Sequence, residues 1–147
     1  MKELVELFNK EHVEFAVCGG FAVAHYGFIR ATMDFDLLVL PHKENAVRIL
    51  KALEQFGFGG AGIEISSFLQ EGTVITLGAQ PNQIDLLTSM CSKKTDEIIK
   101  NSKQMEIKGI LMSVVSFEDL LFAKSESLRG KDRIDFEELK KIHSDDL

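Results

Sequence analysis

Apolar and charged positions recur with two different periods along this chain. Residues 2–11 set Leu4, Val5, Leu7 and Phe8 among charged neighbours, the spacing of an amphipathic helix. Val13–Cys18 (VEFAVC) then reads as a strand, ended by Gly19-Gly20. A helical period resumes over Phe21–Tyr26, with Gly27 in the place of a C-cap. Asp34–Leu40 (DFDLLVL) is a second predicted strand, cut off by Pro41. His42–Phe56 predicts a helix that turns Ala46, Ile49, Leu50 and Leu53 inward and stops at Gly57.

Three shorter runs follow with the look of strands: Gly62–Leu69, Thr73–Leu77 and Gln83–Thr88. Gln70-Glu71-Gly72 and Gly78–Asn82 supply the turns between them. Lys94–Asn101 reads as a short helix, and Gln104–Lys108 with Ile110–Ser113 as a hairpin-like edge around Gly109. Ser116 is placed to cap a helix running to about Arg129; Gly130 breaks it, and Lys131–His143 makes the last helix. Strands and helices mixed in this order predict an α+β (α/β) fold, with a central mixed sheet flanked by helices. Repeats and linkers are absent from the sequence, so one domain is expected over residues 1–147. Its core would span about 13–115, with a short C-terminal helical tail over about 116–145.

Composition narrows the function classes. With 45% hydrophobic and 27% charged residues in 147, the chain has the makings of one sizeable core and is neither disordered nor a disulfide-stapled miniprotein. Its apolar stretches fall far short of the roughly 20 residues of a membrane helix. The first residues lack the apolar block of a secretory signal, so a cytoplasmic location is expected. A net charge of −6 without a dense Lys/Arg run argues against nonspecific binding of DNA or RNA. Cys18 and Cys91 lack metal-site spacing, and Cys18 is expected as a buried core thiol. His12, His25, His42 and His143 are scattered without ligand spacing, and His25 reads as structural.

The candidate chemistry lies in Val17–Val39. A strand running into Gly19-Gly20 and straight on into a helix exposes the free N–H groups of a first turn, where phosphate can approach the backbone. The same glycines also suit a plain tight turn. In Asp34-Phe35-Asp36, residues two apart on a strand project from one face, about 7 Å from one another. Two like charges so placed repel unless a cation neutralises them, and hard Mg²⁺ fits carboxylate oxygens. Exposed edge-strand acids are the alternative. Asp85, in Gln83-Ile84-Asp85-Leu86-Leu87, would join Asp34 and Asp36 if its strand were adjacent; Glu64 is another strand acid that would serve as third carboxylate. Arg30 would meet a phosphate with its planar fork or pair with a nearby acid, and Thr32 reads as a loop hydrogen-bonder. Lys124 would reach a phosphate or snorkel to solvent. The run Arg129, Lys131, Asp132, Arg133, Asp135 reads as a solvated capping network.

Gly19-Gly20, then thirteen residues (21–33), then Asp34-Phe35-Asp36 and a later Asp85, resembles the signature of the nucleotidyltransferase superfamily with the DNA polymerase β-like fold. The string GGFAVAHYGFIRATMDFDLLV looks most like minimal bacterial nucleotidyltransferase-like families. It is also similar to the core of antibiotic nucleotidyltransferases and of nucleotidyltransferase-type toxins. The motif covers roughly residues 13–88, with a weaker echo over Phe117–Leu139. The resemblance implies Asp34, Asp36 and Asp85 as catalytic and metal-binding carboxylates holding two Mg²⁺ ions. It implies Gly19 and Gly20 at the triphosphate of an NTP, and Arg30 and Lys124, read above as phosphate candidates in their own right, would join them in the nucleotide site. Gly20 departs from the serine that many members carry there, which removes a hydroxyl but leaves the backbone donors. The implied activity is transfer of a nucleoside monophosphate from Mg-NTP to an acceptor hydroxyl of a small molecule, a protein or a tRNA. The alternative is a non-catalytic module of the same fold: a nucleotide binder, or the antitoxin or regulatory half of a pair. A partner chain or homodimer would then complete the site.

Overall fold

The computed structural model describes residues 1–144. Its centre is a six-stranded mixed sheet in the order β3-β4-β2-β1-β6-β5. The strands are β1 (Phe15–Cys18), β2 (Asp34–Val39), β3 (Val74–Leu77), β4 (Gln83–Leu87), β5 (Lys103–Ile107) and β6 (Ile110–Val114). β1 runs antiparallel to β2 and parallel to β6, whereas β2 lies parallel to β4. β1 and β2 form the middle of the sheet, and Val17, Leu37, Leu38 and Val39 are buried there.

Helices α1 (Lys2–Lys10) and α3 (Lys43–Leu53) pack against one another, burying Leu4, Val5 and Phe8 of the first and Ala46, Ile49 and Leu53 of the second. The edge-on contact of Phe8 and Phe15, with ring centroids 5.3 Å apart, seats α1 on the sheet. Asn45 ties α3 to the strand ends. The Glu14 N–H donates to its Oδ1 at 2.8 Å, and its Nδ2 donates to the carbonyls of Glu14 (3.0 Å) and Leu40 (2.9 Å). Of these, the Glu14 carbonyl also accepts from the Leu40 N–H at 3.1 Å, while the Glu14 N–H and the Leu40 carbonyl depend on Asn45.

The remaining helices are α2 (Gly19–His25), α4 (Thr95–Lys100), α5 (Phe117–Glu126) and α6 (Gly130–Ile142). Ser116 caps α5 as expected, its Oγ accepting from the Asp119 N–H at 3.1 Å. Three boundaries differ from the sequence reading. The glycine pair is itself the first turn of α2 rather than its lead-in. α5 stops at Glu126, and Gly130 opens α6 instead of merely interrupting a helix. The third difference is larger: Gly62–Leu69 forms no strand, and its Ile65–Phe68 part is a single helical turn that buries only Phe68. The alternation Ile63, Ile65 imitates strand period, but a lone core anchor suffices to pin a connecting segment.

Candidate active site

Because β2 and β4 are parallel neighbours in register, Asp36 stands directly beside Asp85, and Asp34 follows two residues away on the same face. Phe35 between them points the other way and is buried edge-on against Phe21, with ring centroids 4.9 Å apart. One carboxylate oxygen from each of Asp34, Asp36 and Asp85 lies within 4.8 Å of the other two. These acids share the lining of an open cavity of about 760 Å³ with Cys18, Gly19, Gly20 and Arg30.

Each acid is held differently. Asp85 accepts from Thr76 Oγ1 at 2.8 Å and from Gln83 Nε2 at 3.0 and 3.2 Å. Thr32 Oγ1 donates to the Asp34 carbonyl at 3.0 Å and reaches Asp34 Oδ1 at 3.4 Å. Burial, reinforced by the charges of Asp34 and Asp85, pushes the Asp36 carboxyl up from 3.8 to about 7. That shift measures how poorly the protein alone compensates the cluster. Three hard oxygens this close, with one of them reluctant to ionise, fit a divalent cation of the magnesium type.

The glycine pair closes the cavity at the end of β1. Gly19 has φ +64° and lies against the Asp36 side chain; Gly20 packs so tightly on Thr32 that a β-carbon there would be 2.8 Å from its Oγ1. Glu64 is exposed on the connecting segment and takes no part in the carboxylate group. His25 is exposed and sits edge-on to Tyr26. Cys18 is buried, as its apolar run required, and burial pushes its thiol well above the ordinary range.

The tail corrects a sequence reading. Asp132 and Asp135 are not solvated: both are buried on α6, and Asp132 lines the cavity. Asp135 pairs with Arg30 and Lys124, and Asp132 pairs with Lys124 and Arg129. Lys124 is likewise buried rather than snorkelling. Burial works against both aspartates, yet hydrogen bonds from Arg129, Lys124 and Ser127 hold Asp132 well below the usual carboxylate range, and those from Arg30 and Lys124 lower Asp135. The Asp135 carboxylate in turn raises the Arg30 guanidinium. Sequence reasoning also passed over Thr76, because cross-strand register cannot be read from one strand alone, and over Gln83, although the two-residue strand period puts it on the face of Asp85.

The match to a family described as "Nucleotidyl transferase of unknown function (DUF2204)" runs over residues 1–146. The chain belongs to this family. No curated protein matches the sequence. Several solved structures share the fold of this DUF2204 member. A candidate nucleotidyltransferase from Thermotoga maritima superposes with a TM-score of 0.62 at 14% identity, over 99% of this chain and 91% of that one. The antibiotic-resistance factor ANT(2'')-Ia gives 0.59 at 13% identity, over 95% and 80%. The lincosamide antibiotic adenylyltransferase LnuA, in its lincomycin-bound form, gives 0.57 at 16% identity, over 96% of each chain. At these identities the likeness is one of fold.

Proposed function

We propose that this DUF2204 protein transfers a nucleoside monophosphate from an Mg-NTP to an acceptor hydroxyl and releases pyrophosphate. The observation that carries this reading is the approach of Asp34, Asp36 and Asp85 oxygens within 4.8 Å beside the Gly19-Gly20 backbone. In the transfer, the acceptor oxygen bonds to the α-phosphorus as the α–β phosphoanhydride breaks. The leaving pyrophosphate takes the bonding electron pair. Asp34, Asp36 and Asp85 would hold the divalent metal, which when bound neutralises phosphate charge and favours the in-line geometry. Asp85, which Thr76 and Gln83 steady, would accept the acceptor's proton. The first-turn N–H groups of Gly19 and Gly20 would meet the triphosphate, with the Arg30 and Lys124 cations lining the same cavity. Chemistry of this kind asks the protein mainly for positioning and charge stabilisation.

Of the three acceptor classes, a small molecule, a protein or a tRNA, small hydroxylated molecules are the first to test, because the fold relatives include the antibiotic-resistance factor ANT(2'')-Ia and the lincosamide antibiotic adenylyltransferase LnuA. Thermal unfolding with each of the four NTPs, with Mg²⁺, and with both tests the reading. Both ligands bind the folded state, and Mg²⁺ shares its ligands with phosphate, so the combined rise in Tm should exceed the sum of the separate ones. Pyrophosphate release on adding an acceptor would establish turnover. No shift with any NTP at millimolar Mg²⁺ would overturn the enzyme reading in favour of a non-catalytic module.

A further inference from the structure

Asp135 has no exposed surface and Asp132 is only 7% exposed, yet together they engage three cations of one cavity wall. Arg30 donates to Asp135 through Nε at 2.7 Å and Nη2 at 2.8 Å, a fork-on-fork pair. Lys124 Nζ bridges the two acids, 3.0 Å from Asp135 Oδ2 and 2.8 Å from Asp132 Oδ1. Arg129 meets Asp132 through Nε at 3.0 Å and Nη2 at 3.2 Å, and Ser127 Oγ adds a hydrogen bond at 2.6 Å. The outcome is a continuous ladder, Arg30–Asp135–Lys124–Asp132–Arg129. It starts beside Gly20, where a β-carbon would lie 3.3 Å from Arg30 Nη1, and ends where α5 gives way to α6.

Stability alone is a poor reason for such an arrangement. Taking charges out of water costs several kcal/mol per ion, and well-packed apolar side chains are often as stable in their place. What the ladder does supply is orientation. Three cationic heads on three separate segments are fixed on the cavity that also holds Asp34, Asp36 and Asp85. Lys124 and Arg129 are close enough to act electrostatically on Asp36. Three cations against two anions leave the wall with a surplus positive charge.

We propose that Asp132 and Asp135 are positioning residues of the nucleotide site, fixing Arg30, Lys124 and Arg129 as a preorganised cationic wall for the substrate's polyphosphate and making α6 part of that site. This rests on the nucleotidyl-transfer reading above. The two carboxylates do not touch substrate; they act through the cations they hold.

The test exploits a difference in sign. Replacing a carboxylate by an amide adds net positive charge, so charge alone would tighten phosphate binding, whereas lost positioning weakens it. Calorimetric titration of the full chain with inorganic triphosphate and Mg²⁺ should show Asp135→Asn and Asp132→Asn binding at least about tenfold more weakly than the unaltered protein, the loss typical when outer partners that orient ligating groups are removed. Mn²⁺ affinity without phosphate, read by electron paramagnetic resonance, should fall only slightly, from the added positive charge, and far less than triphosphate binding; a general loosening of the fold would weaken both alike. Should burial of unpaired cations unfold both variants, Asp132→Glu serves instead: it keeps the charge and a partner for Lys124 and Arg129 but displaces the carboxylate by one methylene, so triphosphate binding weakened several-fold reads positioning without a change of charge. Equal or tighter triphosphate binding in the folded variants overturns the positioning role alone. Failure of the unaltered protein to bind triphosphate or any NTP with Mg²⁺ overturns the nucleotidyl-transfer reading and the wall with it.

Discussion

Gly19 lies so close to Asp36 that a β-carbon on it would overlap the carboxylate, 2.8 Å from Cγ and 2.9 Å from Cβ. The glycine is therefore required twice over: once for its φ of +64°, and once to leave Asp36 room beside the end of β1. Gly19→Ala should lower stability by about 1–3 kcal/mol from backbone strain and the forced shift of Asp36. Divalent-metal binding should fall with it. Thermal unfolding and Mn²⁺ titration of the same variant measure the two effects, and intact metal binding would mean that Asp36 can move aside without leaving the site.

The raised Asp36 pKa makes metal-free stability depend on pH in a definite direction. Burial is the main cause, followed by the Asp34 and Asp85 charges, and together they move the group from 3.8 to about 7. The folded state therefore binds this proton more tightly than the unfolded state. Folding suffers no penalty from Asp36 below about 4, a growing one as pH rises, and the full one above about 7. Asp36→Asn removes it. The full shift corresponds to a ceiling of about 4 kcal/mol, which solvent screening at a half-buried side chain reduces to an expected gain of about 1–2 kcal/mol. In chelator-treated protein the variant should be more stable than the original at pH 8 and equal to it near pH 4. A gain independent of pH would remove titration of Asp36 as its cause.

If the acids are there for a metal rather than for the fold, the double variant Asp34→Ala with Asp36→Ala should lose the joint stabilisation by Mg²⁺ and NTP. Its metal-free Tm should be equal to that of the unaltered protein or higher, because clustered like charges have been removed. Severe unfolding would instead make these carboxylates structural hydrogen-bond acceptors.

The parts of this fold that were legible in the sequence are those set by local period. β2 shows in Asp34-Phe35-Asp36 because its inward positions are apolar and its outward ones charged, and the Ser116 cap shows because capping is a short-range contact. The two acids of β2 stood out because charge inside an apolar strand is costly. Their union with Asp85 depends on β2 and β4 being parallel neighbours, which strand pattern alone leaves undetermined. The tail misled for a related reason. Asp132 and Asp135 alternate with Arg and Lys as on a solvated helix, and the helix's own pattern does not show that Arg30 reaches Asp135 or that Lys124 of α5 bridges both acids. Ile63-Glu64-Ile65 misled by periodicity in a segment too short for period to decide.

Asn45 gives a stability prediction outside the site. Its buried amide bonds three backbone groups at the ends of β1 and β2, of which the Glu14 carbonyl also accepts from the Leu40 N–H at 3.1 Å. Asn45→Leu keeps the volume but strands one donor, the Glu14 N–H, and one acceptor, the Leu40 carbonyl, beside α3. Each unpaired buried group costs about 1–3 kcal/mol, so a loss of about 2–4 kcal/mol is expected after local relaxation. Urea unfolding would measure it; a loss below about 1 kcal/mol would mean that water replaces the amide.

Thr32 offers the finest test of how the carboxylates are held. Its hydroxyl spans from the Asp34 carbonyl at 3.0 Å to Asp34 Oδ1 at 3.4 Å, while its β-carbon fills the space that Gly20 leaves open, 3.0 Å from where a side chain would begin. The residue thus combines a packing role with a polar one, and the two can be separated. Thr32→Val keeps the shape and discards the hydroxyl, so Gly20 stays covered and stability should change by less than about 1 kcal/mol, the usual worth of one hydrogen bond in part-exposed surroundings. Asp34, however, loses the donor that orients it, and Mn²⁺ affinity should drop by about tenfold, within the range for lost outer partners of metal-binding groups. Thr32→Ser restores the hydroxyl without the methyl and should recover the metal affinity while giving up some packing. If valine binds metal as well as threonine does, the Thr32 hydroxyl does not orient Asp34, and close packing against Gly20 is what the site draws from it.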